Sequence, residues 1–202
     1  MQIVTLSNQL KSPPLLLSSD STECSGEKGY RSVLASHPII EGDFYFEVKI
    51  LPPLLPLPFI GVEPHVRIGI ATKKVDINLP IGCDLYGYAY GDKGELIHGS
   101  KKLKCGKDYH IGDIVGVCIH LVPPKPPMLI EKKRKKSEES DKPISMAVGK
   151  GSYLKFYING MPQNESTFFY DLFEGIGINR EILCWDIIIY ACESKIECWA
   201  KI

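Results

Sequence analysis

Residues 43–50, DFYFEVKI, decide the class of fold: Phe44, Phe46, Val48 and Ile50 alternate with Asp43, Tyr45, Glu47 and Lys49. Successive side chains in a strand point to opposite faces, so one set faces a core and the other faces water. That is the period of a half-buried strand, not of a helix. The same period recurs outward along the chain. HVRIGIAT (65–72) sets Val66, Ile68 and Ile70 against Arg67, Gly69 and Ala71. DIVGVCIHL (113–121) sets Ile114, Gly116, Cys118 and His120 against Val115, Val117, Ile119 and Leu121. YGYAYG, ELIHG, YLKFYING, EILCWDIIIYAC and SKIECWAKI supply further short strands, and NG at 159–160 is the sharpest turn signal. Helical periodicity is scarce, with FFYDLFEG (168–175) good for one turn. Short strands at regular spacing, separated by glycine and proline, predict an all-β, antiparallel two-sheet sandwich.

The 202 residues suit one domain, or one domain with a sizeable insertion, and 44% hydrophobic residues with ten tyrosines are enough for a core. Lys+Arg and Asp+Glu both number 24, so attraction to an anion must be local, which argues against nucleic acid as the main partner. No run of 18 apolar residues exists to span a membrane. The opening MQIVTLSNQLKSPPLLLSSD lacks a basic region followed by a long hydrophobic block, so no signal peptide is read. Seven cysteines, at 24, 83, 105, 118, 184, 192 and 198, are an odd number for a disulfide framework and contain no CxxC. Only Cys118 and His120 lie close together, and they lack a third and fourth ligand, so no metal site is expected. Reduced thiols in a cytosolic or nuclear protein fit better.

The segment 122–151, VPPKPPMLIEKKRKKSEESDKPISMAVGKG, breaks the strand pattern. It starts proline-rich, becomes a charge block and ends glycine-rich, and so reads as a long disordered insertion between two strands. Within it Lys132, Lys133, Arg134, Lys135 and Lys136 form an unbroken basic run. That run suits a nuclear-import address, a phosphate-contacting patch giving weak nucleic-acid contact, or a loop that needs charge to stay solvated.

Enzyme signatures are missing. There is no G-x-S-x-G, H-E-x-x-H, G-x-x-x-x-G-K-[ST] or G-x-G-x-x-G, and the histidines at 37, 65, 98, 110 and 120 are scattered. A sandwich without a catalytic motif, metal site or cofactor motif points to recognition and not to reaction. Arg67 stands out, because a permanently charged guanidinium shares its strand face with Gly69 and Ala71, which would make a shallow floor for a partner backbone. Tyr86, Tyr88 and Tyr90 put three rings on one strand face, which suits core packing better than a binding surface. Trp185 and Trp199 are assigned to the core.

Several fragments occur in the order seen in SPRY domains: GEKGYRSVLASHPIIEGDFYFEVKI, HVRIGIA, LPIGCDLYGYAYGDKGELIHGSK, YHIGDIVGVCIHL and LKFYINGMPQ…YDLFEGIG. YFEV, GDIVG and FYING are general to that fold. GEKGY…ASH, the arginine ahead of GIA, the P-x-G-x-D…Y-x-Y run, DLFEG and the long insertion are narrower. Together they resemble the SPRY domain of the absent-small-or-homeotic-discs (Bre-type) subunit of COMPASS histone lysine methyltransferase complexes. The resemblance covers about 23–202, leaving 1–22 as an N-terminal extension. It implies a concanavalin-like sandwich in the nucleus that binds an acidic segment of a WD-repeat subunit of the retinoblastoma-binding type. The pair would stimulate a SET-domain methyltransferase, with this chain not itself the catalyst.

Carried over by position, the resemblance implies a peptide pocket of Tyr30, Arg67 and Pro80, with Lys93 as a further basic match. Cys83 stands where the family's loop has tyrosine, and Gly91 where it has arginine, so the pocket loses an aromatic wall and a charge. Neither the family's C-terminal helix that docks a small dimeric Dpy-type partner nor its zinc-finger or winged-helix region is present, which implies a fragment or a compact member. The alternative is a generic SPRY adaptor of the ubiquitin-ligase or Ran-binding type, which would take a neutral, often Asn-containing ligand.

Overall fold

The computed structural model describes residues 4–26, 30–52, 65–122 and 151–163 with their side chains, and the strand backbones at 167–168, 185–191 and 196–199. Two antiparallel sheets form, as the alternation predicts, and no helix occurs among the described residues. The first sheet runs in the order β1 (Leu6–Lys11), β4 (Ser32–Ala35), β14 (Trp185–Ala191), β6 (Val66–Thr72), β7 (Gly87–Gly91), β8 (Glu95–His98) and β9 (Lys101–Lys104). The second runs β12 (Met161–Pro162), β11 (Tyr153–Ile158), β10 (Ile114–Leu121), β5 (Gly42–Ile50), β15 (Ile196–Trp199), β3 (Glu23–Ser25) and β2 (Leu16–Leu17), with β13 (Thr167–Phe168) also on β11.

The decisive stretch, β5, is the frame of the second sheet. Its Val48 and Phe46 lie level with Val115 and Val117 of β10, which in turn lie level with Ile158 and Phe156 of β11. From the first sheet Val66, Ile68, Ile70, Tyr88, Tyr90 and Leu96 meet that layer and form the main core. Each such side chain removed from water contributes roughly 1.5–3 kcal/mol. Tyr90 stacks on Phe156 with ring centroids 5.0 Å apart and satisfies its hydroxyl by donating to the Lys107 carbonyl. The turn at 159–160 places Asn159 and Gly160 both at positive φ (50° and 76°), the combination a two-residue hairpin needs and Asn-Gly best supplies.

A second, smaller core sits on the other face of the first sheet. The segment after β6, residues 73–86, folds back over that face and buries Leu34, Ala71, Val75, Ile81, Ala89 and Ile97 together. Backbone and hydroxyl bonds pin it at both ends: Ser32 donates from its amide to Ile77 and from its Oγ to Leu79, while Ser100 donates likewise to Gly82 and Cys83. This corrects the reading of Gly69 and Ala71 as an open floor. Ala71 is fully buried, and a Cβ on Gly69 would collide with the Tyr88 carbonyl oxygen and lie 2.9 Å from the Ala89 Cα. The small residues there make room for β7 and for the returning loop.

Other expectations also change. Tyr88 and Tyr90 are core residues, but Tyr86 precedes β7 and is 38% exposed, so the three rings do not share one strand face. Residues 1–22, expected as an extension, contribute β1 and β2, and Leu15 is fully buried. Strand β9, KKLK, was hidden because all four residues are exposed and show no alternation. Residues 123–150, with the Lys132–Lys136 run, lie outside the described residues, as do 169–175 of the expected turn and the side chains of Trp185 and Trp199. No helix among the described residues is long and apolar enough to cross a membrane.

His98 gives the main core a pH dependence. It is 1% exposed, stacks on Tyr88 with centroids 3.9 Å apart, and donates from Nδ1 to the Gly87 carbonyl at 2.8 Å. Burial holds its pKa below the ordinary 6.5; the Gly87 bond and Asp84 pull the other way, and Lys101 adds to the lowering. The unfolded chain therefore takes up this proton more readily than the native one as pH falls through about 6.5. The expected result is a melting temperature that drops between pH 7.5 and 5.5, with His98→Gln flattening the slope in the same scans.

Candidate partner-binding site

The Arg67 side chain stands on the face of the first sheet that carries the second core, with Gly69 and Ala71. The pairing puts Arg67 of β6 level with Gly91 of β7, Gly91 level with Glu95 of β8, and Glu95 level with Lys104 of β9. Arg67 is half-buried. Its Nη1 donates to the Ile81 carbonyl at 3.1 Å and to Cys83 Sγ at 3.6 Å, both on the lower rim of the returning loop. None of the ion pairs among the described residues includes Arg67. The guanidinium is thus held in place by neutral acceptors, with donors left over for an anion.

Pro80 and Cys83 lie in one turn, since the Cys83 amide donates to the Pro80 carbonyl at 3.1 Å and closes it. Gly82 inside that turn has φ +84°, and a Cβ there would sit 2.7 Å from the Ile97 carbonyl oxygen, so the turn lies flat on β8. Lys93 is exposed on the β7–β8 turn, two residues beyond Gly91; its carbonyl accepts from Lys104 Nζ, which also pairs with Asp108. Tyr30 is 45% exposed and lies two residues ahead of Ser32, the residue that ties β4 to Leu79 next to Pro80. Arg67 therefore meets Cys83 directly, Pro80 joins it only through the turn to Cys83, and Lys93 and Tyr30 are placed on neighbouring segments without a contact to the guanidinium.

Gly91, level with Arg67, is buried, and a Cβ there would press on Ile97 Cδ1 at 3.2 Å, so the sheet is closed beside the guanidinium. On the neighbouring strand Glu95 accepts from Lys102 Nζ at 2.9 Å. The floor beneath is clamped: Tyr109, fully buried, donates to the Val66 and Tyr90 carbonyls, and His65 Nδ1 meets Asp92 Oδ2 at 2.8 Å. Burial pushes the Tyr109 hydroxyl pKa well up, so it stays a neutral donor.

Sequence reasoning missed the Ile81 carbonyl, because a backbone acceptor leaves no mark in a sequence. The apolar Val75, Ile77 and Ile81 within the loop were the available sign that it folds back. Cys118 and His120 share the outer face of β10, where His120 Nδ1 meets Asp43 Oδ1 at 2.7 Å. No group of three or more metal-binding side chains occurs among the described residues.

Comparison with known proteins agrees with the two-sheet fold. Residues 43–123 match the SPRY domain family. The chain is 30% identical over 118 residues to the Set1 complex component ash2 of Schizosaccharomyces pombe, covering 57% of this chain and 17% of that protein. It is 26% identical over 181 residues to the Set1/Ash2 histone methyltransferase complex subunit ASH2 of Drosophila melanogaster, covering 82% and 31%. It is also 34% identical over 99 residues to Ran-binding protein 9 of Xenopus laevis, covering 47% and 17%. The chain thus spans less than a third of the length of each of these relatives. Among solved structures, the SPRY domain of human HERC1 superposes with a TM-score of 0.61 at 12% identity, over 96% of this chain and 97% of that one, a likeness of fold.

Proposed function

We infer that this chain, which carries a SPRY domain similar to those of Ash2-type complex subunits, is a non-catalytic scaffold of a histone lysine methyltransferase complex. In this reading it binds an acidic segment of a WD-repeat subunit, supports the SET-domain enzyme, and works in the nucleus. The observation that carries it is Arg67: a half-buried guanidinium, fixed by the Ile81 carbonyl and Cys83, with no carboxylate partner among the described residues. A planar fork of this kind matches a carboxylate with two parallel bonds. Pro80 and Tyr30 would supply a stiff edge and a flat wall.

A second reading, favoured by the likeness to Ran-binding protein 9, is a SPRY adaptor for a neutral peptide. Salt separates the two, because charge pairs at a partly open site are screened and neutral hydrogen bonds are not. Calorimetry of the intact chain with a peptide of consecutive aspartates and glutamates should show affinity falling steadily as salt rises. A neutral Asn-containing peptide that binds better, with no dependence on salt, would favour the adaptor. Pull-down from nuclear extract should then recover WD-repeat and SET-domain subunits.

A further inference from the structure

Strand β9, KKLK, is the last strand of the first sheet, and all four of its residues are exposed. Gly99 and Ser100, both at positive φ (55° and 63°), join it to β8 in a two-residue turn. In such a hairpin the flanking pair, His98 and Lys101, is hydrogen-bonded, and bonded pairs then alternate along the ladder. Leu103, level with Leu96, therefore turns its N–H and C=O toward β8, as Cys105 does in donating to the Gly94 carbonyl at 3.1 Å. Lys102 and Lys104 turn theirs away from the sheet, where no strand among the described residues receives them. The edge has neither a proline nor a bulge to block pairing. Its charge is one-sided: residues 93–108 hold lysines at 93, 101, 102, 104 and 107 against Glu95 and Asp108. Those two carboxylates hold Lys102 and Lys104 in exposed pairs of the kind that exchange partners at little cost. Lys101 and Lys107 belong to none of the ion pairs among the described residues.

We propose that β9 takes an acidic partner segment as an added antiparallel strand, pairing its backbone with the outward N–H and C=O groups of Lys102 and Lys104. Lysines on an edge keep copies of a chain from pairing edge to edge, and this narrows the choice of occupant. A second β9 would set lysine against lysine, whereas carboxylates level with Lys102 and Lys104 meet opposite charge across the ladder. The residue between those carboxylates falls level with Leu103, which is 47% exposed, and an apolar side chain there covers it. The favoured pattern is thus acidic, apolar, acidic. In strand addition the backbone supplies affinity and the alternate side chains supply the choice of sequence. The contact is separate from Arg67, which lies on β6, three strands away.

The test is fluorescence anisotropy of a short labelled peptide alternating glutamate and valine, with the intact chain titrated to millimolar concentration because so short a strand holds weakly. Glutamates level with Lys102 and Lys104 turn their own N–H groups toward β9, and the valines turn theirs away. N-methyl groups on the glutamate amides should therefore weaken binding about tenfold or more, whereas on the valine amides they should leave it nearly unchanged. On the protein, Lys102→Pro deletes one outward N–H at a position where an edge strand accepts proline, and should weaken binding about tenfold. Lys102→Ala removes the charge alone and should weaken it about threefold. Arg67→Ala should bind the alternating peptide as the wild type does. Equal effects of the two methylation patterns overturn the proposal, as do equal effects of the two Lys102 variants. If Lys102→Pro fails to fold, the methylated peptides decide alone. Binding lost in Arg67→Ala but kept in both Lys102 variants overturns the added strand and supports Arg67 as the binding group. No binding at millimolar protein also overturns the added strand.

Discussion

Replacing Arg67 with alanine is expected to weaken acidic-peptide binding by roughly 2–5 kcal/mol, enough to remove it from a calorimetric titration at micromolar concentrations. Much of that loss is the partner carboxylate left desolvated and unpaired beside Pro80 and Cys83. The fold should survive. Arg67 makes one good internal hydrogen bond, to the Ile81 carbonyl at 3.1 Å, and a bond of that kind contributes about 0.5–1.5 kcal/mol net. For a chain of this size that corresponds to a few degrees of melting temperature. Arg67→Lys should fall between, keeping the charge but losing the second parallel bond. A folded Arg67→Ala protein that binds the peptide with unchanged affinity would remove this site from consideration.

The strands with one face in the core were legible before any coordinates: β5, β10 and β11 alternate because water and core impose opposite demands on neighbouring residues, whereas β6 is buried on both faces and its small residues read as an open one. Edge strands such as β1 and β9 were not legible, since neither face of Lys101–Lys104 is buried and no alternation is enforced. At the site, periodicity alone put Arg67 on the face opposite Val66, Ile68 and Ile70. Its meeting with the Ile81 carbonyl and Cys83 depends on a loop that returns over the sheet, which is a tertiary choice made by Val75 and Ile81 and is invisible to period-two patterning. Tyr86 shows the same limit from the other side. It has the parity of Tyr88 and Tyr90, but the strand begins at Gly87, so parity has no hold on it.

Gly69 decides between two accounts of the small residues beside Arg67. Had they been there to admit a partner backbone, adding one methyl at 69 would block binding and leave stability alone. The structure supports the reverse. A Cβ at 69 falls within contact of the Tyr88 carbonyl oxygen, the Tyr88 carbonyl carbon and the Ala89 Cα, all backbone atoms of β7 that no rotamer change can move aside. Relief requires β6 and β7 to separate at the middle of their pairing, where Gly69 lies level with Ala89. That strains hydrogen bonds and disturbs both cores at once, because Ile68 and Ile70 face the main one and Ala71 and Ala89 the second. Overpacking a rigid site typically costs about 1–3 kcal/mol, and a clash with main chain belongs at or beyond the upper end. At 3 kcal/mol the melting temperature of Gly69→Ala should fall by roughly 6–12 °C, whereas peptide affinity measured on the surviving folded fraction at low temperature should change little. A stable Gly69→Ala protein that no longer binds would restore the open-floor account and move the contact surface inward from Arg67.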